Sequence, residues 1–212
     1  MNPYQTIEGL YAVTPDLLDT NELLRCVRLA LQGGARVLQY RNKTADAALK
    51  LSQALALRQL THEVKTTFIV NDDAQLAAQV DADGVHLGGE DGSVAAARTL
   101  LGSKIIGVSC YNRLSLAHKA VQQGADYVAF GAFFPSGVKP GAVKADVALL
   151  QTARKELSVP IVAIGGITQQ NATTLIEADA DAVAVITALW NAPDIEASAR
   201  EFSTLFLAGH RQ

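Results

Sequence analysis

The sequence predicts an α/β protein, a single domain over residues 1–212 with the architecture of a (β/α)8 barrel, and three observations support this prediction. Eight short apolar runs rich in β-branched residues are distributed along the chain. The segments between them have the apolar spacing of amphipathic helices. A weak repeat of small residues with one polar residue precedes every second run.

The apolar runs are predicted strands because each is short and nearly continuous in apolar character, which is typical of parallel strands buried on both faces. In chain order they are Leu10–Val13, Val37–Gln39, Phe68–Val70, Val85–Leu87, Ile105–Val108, Tyr127–Phe130, Ile161–Ile164 and Ala182–Ile186. Helical spacing is seen in Leu17, Leu24, Val27 and Leu31 before the second strand, and in Leu49, Leu55, Leu57 and Leu60 before the third. Strand and helix therefore alternate.

The repeat consists of Gly34-Ala35-Arg36, Ala82-Asp83-Gly84, Gly124-Ala125-Asp126 and Ala180-Asp181-Ala182. Its spacing of about 45 to 55 residues corresponds to two βα units. Eight such units in 212 residues leave no length for a second domain, so we predict one closed TIM barrel. The alternative is an open doubly wound sheet, but no GxGxxG motif follows the first strand.

Composition and the lack of targeting segments limit the classes of partner and the cellular location that we expect. Lys and Arg number 18 against 21 Asp and Glu, so the net charge is −3 and no basic surface is expected for nucleic acid. Cys26 and Cys110 have no CxxC spacing and are interpreted as reduced core thiols. No secretory signal follows Met1, and no apolar run of about 20 residues would cross a membrane, so we expect a cytoplasmic protein. The oligomeric state stays open, and a homo-oligomer is compatible with the sequence.

Polar residues follow the strands, at the end where TIM-barrel enzymes have their active sites. After the second strand, alternation places Gln39, Arg41 and Lys43 on one side; the alternative for the two cations is a solvated turn. Asp72 follows the third strand and Asp91 the fourth. At 4 Å and an effective dielectric constant near 20, two carboxylates repel by about 4 kcal/mol, which favours a cation such as Mg²⁺ between them. The neighbouring Asp73 is interpreted as a helix cap.

The later strands add an anion site of another kind. The fifth strand ends at Ser109, and the Gly- and Pro-rich stretch Phe133–Gly141 is a predicted lid whose Lys139 either reaches an anion or is solvated. Gly165-Gly166 follows the seventh strand and Ile186-Thr187 ends the eighth, which is the usual phosphate site of such barrels. His86 can face either side of the barrel wall, and the other histidines are interpreted as structural.

Two anion sites, one neutral and one ionic, indicate two phosphorylated ligands. A diphosphate of about three negative charges is matched by Mg²⁺ and three cations against two carboxylates, and stabilising it makes it a better leaving group. The sequence therefore predicts displacement of pyrophosphate.

These motifs also resemble the thiamine-phosphate synthase family. Gln39-Tyr40-Arg41-Asn42-Lys43 is similar to its Gln-Leu-Arg-Glu-Lys, Asn71-Asp72-Asp73 to its Asn-Asp-Asp, and Gly84–Gly88 with Glu90-Asp91 to its Gly-(Ile/Val)-His-(Ile/Leu)-Gly-x-Glu-Asp. The similarity continues in order along essentially the whole chain. It implies a transferase that couples hydroxymethylpyrimidine diphosphate with hydroxyethylthiazole phosphate by Mg²⁺-assisted dissociative displacement.

The resemblance implies a role for each matched residue. Gln39 would contact the pyrimidine; Arg41, Lys43, Asn71, Ser109 and Lys139 would hold the diphosphate; Asp72 and Asp91 would ligate Mg²⁺; and Gly166, Ile186 and Thr187 would hold the thiazole phosphate. Ser136 is a further expected substrate-binding residue. Arg41, Lys43, Ser109 and Lys139 are the expected catalytic groups.

Several positions depart from the family pattern. Val138 replaces a hydroxyl residue near Ser136, which puts one polar contact in doubt, while Asn42 replaces Glu, Gly89 replaces Gln and Thr187 replaces Ser. Two other functions stay open: a thiazole tautomerase-like enzyme, and a non-catalytic protein that binds phosphorylated ligands. A tautomerase needs a general acid or base rather than a diphosphate site. Retention of Arg41, Lys43, Asp72 and Asp91 together favours the synthase.

Overall fold

The computed structural model describes residues 7–88, 93–135 and 143–209, and in them eight parallel strands close into a barrel in sequence order. The strands are β1 (Gly9–Val13), β2 (Val37–Tyr40), β3 (Thr67–Asn71), β4 (Gly84–Leu87), β5 (Ile105–Tyr111), β6 (Tyr127–Phe130), β7 (Ile161–Ile164) and β8 (Ala182–Val185). Each strand pairs with the next, and β8 pairs with β1. The predicted TIM barrel is confirmed.

Helices alternate with the strands as the apolar spacing predicted. They are α1 (Thr20–Gln32), α2 (Ala47–Glu63), α3 (Ala74–Gln79), α4 (Val94–Leu101), α5 (Leu114–Gln122), α6 (Ala148–Glu156), α7 (Gln169–Ile176), α8 (Thr187–Trp190) and α9 (Ile195–Gly209). The predicted fifth strand is too short, because β5 continues through Ser109 to Tyr111 with an irregular register against β6. No helix in the described ranges is long and apolar enough to cross a membrane.

The core has two apolar clusters, one inside the barrel and one between the barrel and the helices. Residues that alternate along the strands point inward and form one cluster, which contains Tyr11, Val13, Val37, Ile69, Tyr127, Ala129, Val162, Ala182 and Ala184. The intervening residues point outward and pack on the helices in a much larger cluster. Cys26 and Cys110 are buried free thiols, as predicted, and burial raises the pKa of Cys110 to about 12.

The repeated tripeptides have a structural reason. Asp83, which precedes β4, accepts the backbone N–H of Phe68 on β3 at 2.8 Å and a hydrogen bond from Arg58 on α2 at 3.2 Å. The carboxylate therefore joins one helix and two neighbouring strands. We call this arrangement an aspartate clamp.

Two further aspartate clamps follow the same plan. Asp126, before β6, accepts the N–H of Ile106 on β5 at 2.7 Å and pairs with Arg98 of α4 at 2.6 Å. Asp181, before β8, accepts the N–H of Ile161 on β7 at 2.6 Å and pairs with an arginine of α6. The first tripeptide departs from the plan, since its polar residue is Arg36 and its partner is Glu8. The clamps lie at the amino ends of the strands, opposite the predicted site.

Candidate active site

The loop after β2 carries the two predicted cations and is fixed by residues of the loop after β1. Thr14 Oγ1 accepts the backbone N–H of Arg41 and donates to its carbonyl, both at 2.8 Å. The Arg41 guanidinium donates to both carboxylate oxygens of Asp16, at 3.1 and 3.2 Å, and the backbone N–H of Lys43 donates to Asp16 at 2.8 Å. Asp16 therefore positions both cationic residues, and sequence reasoning missed it although it is a carboxylate that follows a strand.

Asn42, which departs from the family pattern, has a structural role. Its side chain is buried, and its Oδ1 accepts the backbone N–H groups of Thr44 and Ala45, each at 3.1 Å. Its Nδ2 donates to the Leu17 carbonyl at 2.8 Å and to Gln53 at 3.1 Å. The buried Asn42 side chain therefore fixes the backbone of the loop after β2. Its neighbours Arg41 and Lys43 do not take part in these hydrogen bonds.

Asp72 has a strained backbone at the end of β3. Its φ is +64°, in the left-handed region that few non-glycine residues adopt. Strain of this kind concentrates at functional sites. The backbone N–H donates to the His86 carbonyl at 2.8 Å, and the carboxylate lies 3.9 Å from Lys43 Nζ. Side chains from two neighbouring βα units thus meet at the barrel mouth, as charge patterning predicted.

The adjacent Asp73 does different work. Its carboxylate accepts the N–H of Leu76 at 2.9 Å and caps α3, which confirms the sequence interpretation. Asn71 ends β3 in register with His86. The predicted metal ligand Asp91 lies outside the described residues. Within those residues, no group of three His, Cys, Asp or Glu side chains is arranged to hold a metal.

A chain of five hydrogen-bonded side chains crosses the barrel interior. Gln39 Nε2 donates to Tyr11 Oη at 2.8 Å, and the Tyr11 and Tyr127 hydroxyls are 2.8 Å apart. Tyr127 Oη is 2.8 Å from His86 Nδ1, and His86 Nε2 is 2.9 Å from Ser109 Oγ. We call this set the interior chain. His86, which the sequence left unassigned, therefore faces the inside.

Both tyrosines of the interior chain are fully buried, and burial is the main cause that raises the pKa of each phenol well above its usual value. Both stay neutral hydrogen-bonding groups at physiological pH. Sequence reasoning missed them because a tyrosine in an apolar strand also fits a core position. Gly107 makes room for Tyr127, since a Cβ at Gly107 would lie 1.9 Å from the Tyr127 ring.

A cavity of 270 Å³ opens beside β7 and β8. Its lining is Pro135, Ile164, Gly165, Gly166, Ile167, Thr168, Ala184, Ile186, Thr187 and Ala188. Gly166 has a φ of +63°, and a Cβ there would lie 2.3 Å from the Pro135 carbonyl oxygen. Asn171 donates to the Gly166 carbonyl at 3.1 Å and fixes the turn. Gly166, Ile186 and Thr187 are therefore brought together, in a cavity with little charge.

Of the residues expected at the site, Gln39 and Ser109 end the interior chain, and Lys43 and Asp72 form an ion pair. Three residues expected to hold the thiazole phosphate line one cavity: Gly166, Ile186 and Thr187. Arg41 is held by Asp16. Ser136, Lys139, Asp91 and most of the predicted lid lie outside the described residues, so their positions stay predictions.

Comparison with known proteins gives a consistent result. A family model described as thiamine monophosphate synthase matches residues 10–189. The chain is 59% identical over 201 residues to the thiamine-phosphate synthase of Methylobacillus flagellatus, covering 94% of this chain and 96% of that protein. It is 52% identical to the corresponding protein of Nitrosomonas eutropha, covering 94% and 95%. Thiamine phosphate pyrophosphorylase from Pyrococcus furiosus superposes with a TM-score of 0.86 at 34% identity, covering 95% of this chain and 96% of that one.

Proposed function

The chain belongs to the thiamine monophosphate synthase family, and on that premise we propose that it joins hydroxymethylpyrimidine diphosphate to hydroxyethylthiazole phosphate, with release of pyrophosphate. It is a transferase that forms thiamine phosphate. One observation carries the proposal: the barrel mouth offers two anion sites of different character. Lys43 and Asp72 meet after β2 and β3, while a glycine-lined cavity lies after β7 and β8.

The ionic site suits the diphosphate. Arg41 and Lys43 supply fixed positive charge, and Asp16 holds Arg41 and the Lys43 backbone in place before the substrate arrives. The Arg41 side chain is 16% exposed and that of Lys43 is 55% exposed, so Arg41 is the more rigid of the two. Preorganised charge stabilises the departing pyrophosphate without reorganisation during the reaction. Ser109 and Lys139 are proposed to contact the same group.

Mg²⁺ is proposed to bind between Asp72 and Asp91. The donor chemistry fits, because Mg²⁺ takes one or two carboxylates and fills its other positions with water and phosphate oxygens. Asp72 is partly exposed at the mouth, and its left-handed backbone sets the direction of the carboxylate. When bound, the ion supplies positive charge to the leaving group. Lys43, whose Nζ lies 3.9 Å from the Asp72 carboxylate, would contact the diphosphate on the same side of the mouth.

The neutral site suits the thiazole phosphate. Gly166 has no Cβ to block the approach of its backbone, and the N–H groups of Thr187 and Ala188 precede the first hydrogen bonds of α8, which Leu189 and Trp190 donate to the Ile186 carbonyl. Such N–H groups bind phosphate without a counter-charge. The thiazole would stand on the β7–β8 side of the mouth and the pyrimidine on the β2 side, so the new bond forms between them.

The proposed reaction is dissociative. The bond from the pyrimidine methylene carbon to the diphosphate oxygen breaks first, and its electron pair leaves with pyrophosphate. The pyrimidine amino group stabilises the cation that remains, and the thiazole nitrogen donates its lone pair to form the new C–N bond. No side chain has to remove a proton in these steps, so this chain's residues bind and orient the two substrates.

The coupling assay tests the proposal. The purified protein is incubated with both phosphorylated heterocycles and Mg²⁺, and pyrophosphate and thiamine phosphate are measured. Asp72→Asn should reduce turnover more than about 100-fold, on the scale of removing a group that stabilises the leaving charge, and should leave binding of the thiazole phosphate unchanged. Asp73→Asn is the matched control, because Asn also caps helices well and, in the part of the chain that the structure describes, the Asp73 carboxylate caps α3 through the Leu76 N–H.

Other outcomes contradict the proposal in different ways. Full turnover in Asp72→Asn removes the metal role. Binding of the thiazole phosphate without product identifies a non-catalytic binding protein. Isomerisation of a thiazole carboxylate phosphate without Mg²⁺ identifies a tautomerase. A cytoplasmic location and the lack of nucleic-acid partners belong to the same proposal, which the net charge of −3 and the buried free thiols support.

A further inference from the structure

The interior chain contains three residues that the proposed binding of the substrates does not use. Tyr11, Tyr127 and His86 link Gln39 on β2 to Ser109 on β5 through four hydrogen bonds of 2.8 to 2.9 Å. Gln39 and Ser109, at the two ends, lie nearer the barrel mouth than the three residues between them. In the strand register Gln39 aligns with Val13, which is two residues beyond Tyr11 on β1. Ser109 is likewise two residues beyond Gly107, the residue of β5 that aligns with His86. The chain therefore runs under the site from one wall to the other.

The hydrogens of this chain have a single direction. Gln39 gives an N–H to Tyr11, and within the described residues the Tyr11 hydroxyl contacts only Gln39 and Tyr127. Each phenol has one hydrogen, and a buried hydroxyl whose hydrogen has no acceptor loses free energy. Tyr11 therefore donates to Tyr127, and Tyr127 donates to His86 Nδ1. A neutral imidazole that accepts at Nδ1 carries its hydrogen on Nε2 and donates to Ser109 Oγ.

This direction decides what the two ends present to a ligand. One of the two N–H groups of the Gln39 amide donates to Tyr11 inside the barrel, and this orientation turns the carbonyl oxygen away from Tyr11, where it is the acceptor at the β2 end. Ser109 receives a hydrogen bond from His86, so its own hydroxyl hydrogen is the donor at the β5 end. Reversing the chain would exchange both: an N–H would face the pyrimidine and a lone pair would face the diphosphate.

We propose that Tyr11, Tyr127 and His86 are positioning residues that fix the hydrogen-bond polarity of Gln39 and Ser109, so that the site selects an aminopyrimidine over an oxopyrimidine and donates to its diphosphate. This inference rests on the proposed function for the identity of the ligand. The physical basis is separate: an amide oxygen accepts from an exocyclic amino group but faces a lone pair on an oxo group, and a site with a mismatched buried polar group rejects its ligand.

The tautomer of His86 tests the direction without any substrate. In histidine labelled with ¹⁵N, the protonated and unprotonated ring nitrogens give separate NMR signals. His62→Gln, His118→Gln and His210→Gln remove the other histidines and leave His86 assigned. We expect hydrogen on Nε2 and none on Nδ1 at pH 7.5. Hydrogen on Nδ1, alone or together with Nε2, overturns the inference.

Two substitutions separate the ends. Tyr11→Phe removes the acceptor of Gln39 but leaves Tyr127 donating to His86, so the preference for the amino over the oxo diphosphate should fall about tenfold while inorganic pyrophosphate binds within about twofold of wild type. Tyr127→Phe interrupts the chain at its centre, so both the preference and the pyrophosphate affinity should fall about tenfold. Affinities are measured by calorimetry with Mg²⁺ present, and thermal unfolding verifies that each variant is folded.

The results distinguish this inference from the proposed function. If wild type makes no thiamine phosphate, the proposed function is wrong, and the His86 tautomer still tests the direction of the chain. If wild type couples the substrates but Tyr11→Phe keeps the full preference for the amino compound, the polarity is wrong. The polarity is also wrong if Tyr11→Phe and Tyr127→Phe weaken pyrophosphate binding equally, because a general loosening of the barrel would lower the affinity in both variants.

Discussion

Removal of an aspartate clamp should destabilise the barrel by an amount that depends on how far the clamp is buried. Asp83→Ala deletes the acceptor of the buried Phe68 N–H and the partner of Arg58. Asp126→Ala deletes the same two interactions on β5 and α4. The two variants therefore form a pair that loses the same two kinds of interaction at different exposure, since the Asp83 side chain is 10% exposed and that of Asp126 is 47% exposed. Arg98 also keeps hydrogen bonds to the carbonyls of Gly102, Lys104 and Gly124.

The magnitudes follow from the two interactions. An unsatisfied buried N–H costs about 1–3 kcal/mol in either variant. Loss of one partner from a buried ion pair adds to this, whereas a pair as exposed as that of Asp126 contributes about 0–1 kcal/mol. Arg58 keeps a weaker partner, because Asp81 lies 3.8 Å away. We therefore expect the free energy of unfolding to fall by about 3–4 kcal/mol in Asp83→Ala and about 2 kcal/mol in Asp126→Ala.

Urea unfolding is the assay, followed by far-UV circular dichroism and by fluorescence of Trp190, the single tryptophan. Agreement of the two probes justifies a two-state analysis. Asp83→Asn is the control for charge, since it keeps an oxygen for the Phe68 N–H and should lose less than Asp83→Ala. If Asp126→Ala costs as much as Asp83→Ala, exposure does not control the clamps, and if both cost under about 0.5 kcal/mol, no clamp exists.

Two more predictions concern the phosphate cavity and the buried phenols. Gly166→Ala places a Cβ 2.3 Å from the Pro135 carbonyl oxygen, so the affinity for thiazole phosphate, measured by calorimetry, should fall more than about tenfold. Gly102→Ala is the control, because Gly102 also has a positive φ, +61°, but has open space around it. This variant should lose stability through backbone strain and keep its affinity for thiazole phosphate. Because burial raises the Tyr11 pKa, the unfolded chain loses this proton first, and stability falls as the pH rises above about 10. Tyr11→Phe should reduce that loss by about 1.2 kcal/mol in total between pH 9.5 and 11 in urea unfolding, because the unfolded phenol is only partly ionised at the lower end of this range. Tyr111→Phe, a substitution at an exposed position, is the control.

Much of the fold can be predicted because parallel strands buried on both faces appear as apolar runs. Positions such as Lys43 and Asp72 can be predicted for the same reason, since a polar residue directly after such a run lies at the barrel mouth. Asp73 can be assigned as a cap from its place before α3. In each case the informative residues are neighbours in sequence.

The remainder depends on contacts between distant residues. Tyr11 and Tyr127 are 116 positions apart, and nothing local shows that their hydroxyls meet. Asp16 lies 25 residues from Arg41 in a loop whose path is set by the barrel. The tripeptide repeat is visible in the sequence, but the arginine partners of its aspartates lie on helices 25 to 28 residues earlier. The repeat therefore predicts the period of the βα units but not the ion pairs that the aspartates form.

The aspartate clamps also distinguish strand pairs that are joined locally from the pair, β1 and β8, that closes the barrel. Each one closes a segment of 25 to 28 residues and holds β3 to β4, β5 to β6 or β7 to β8. Short segments close at a small cost in chain entropy, whereas β1 and β8 come from opposite ends of the polypeptide. We therefore expect the three strand pairs that the clamps join to form early in folding. Pairing of β1 with β8, which closes the barrel, should come last. A circular permutant with new termini between these pairs should keep its folding rate better than one cut inside a pair.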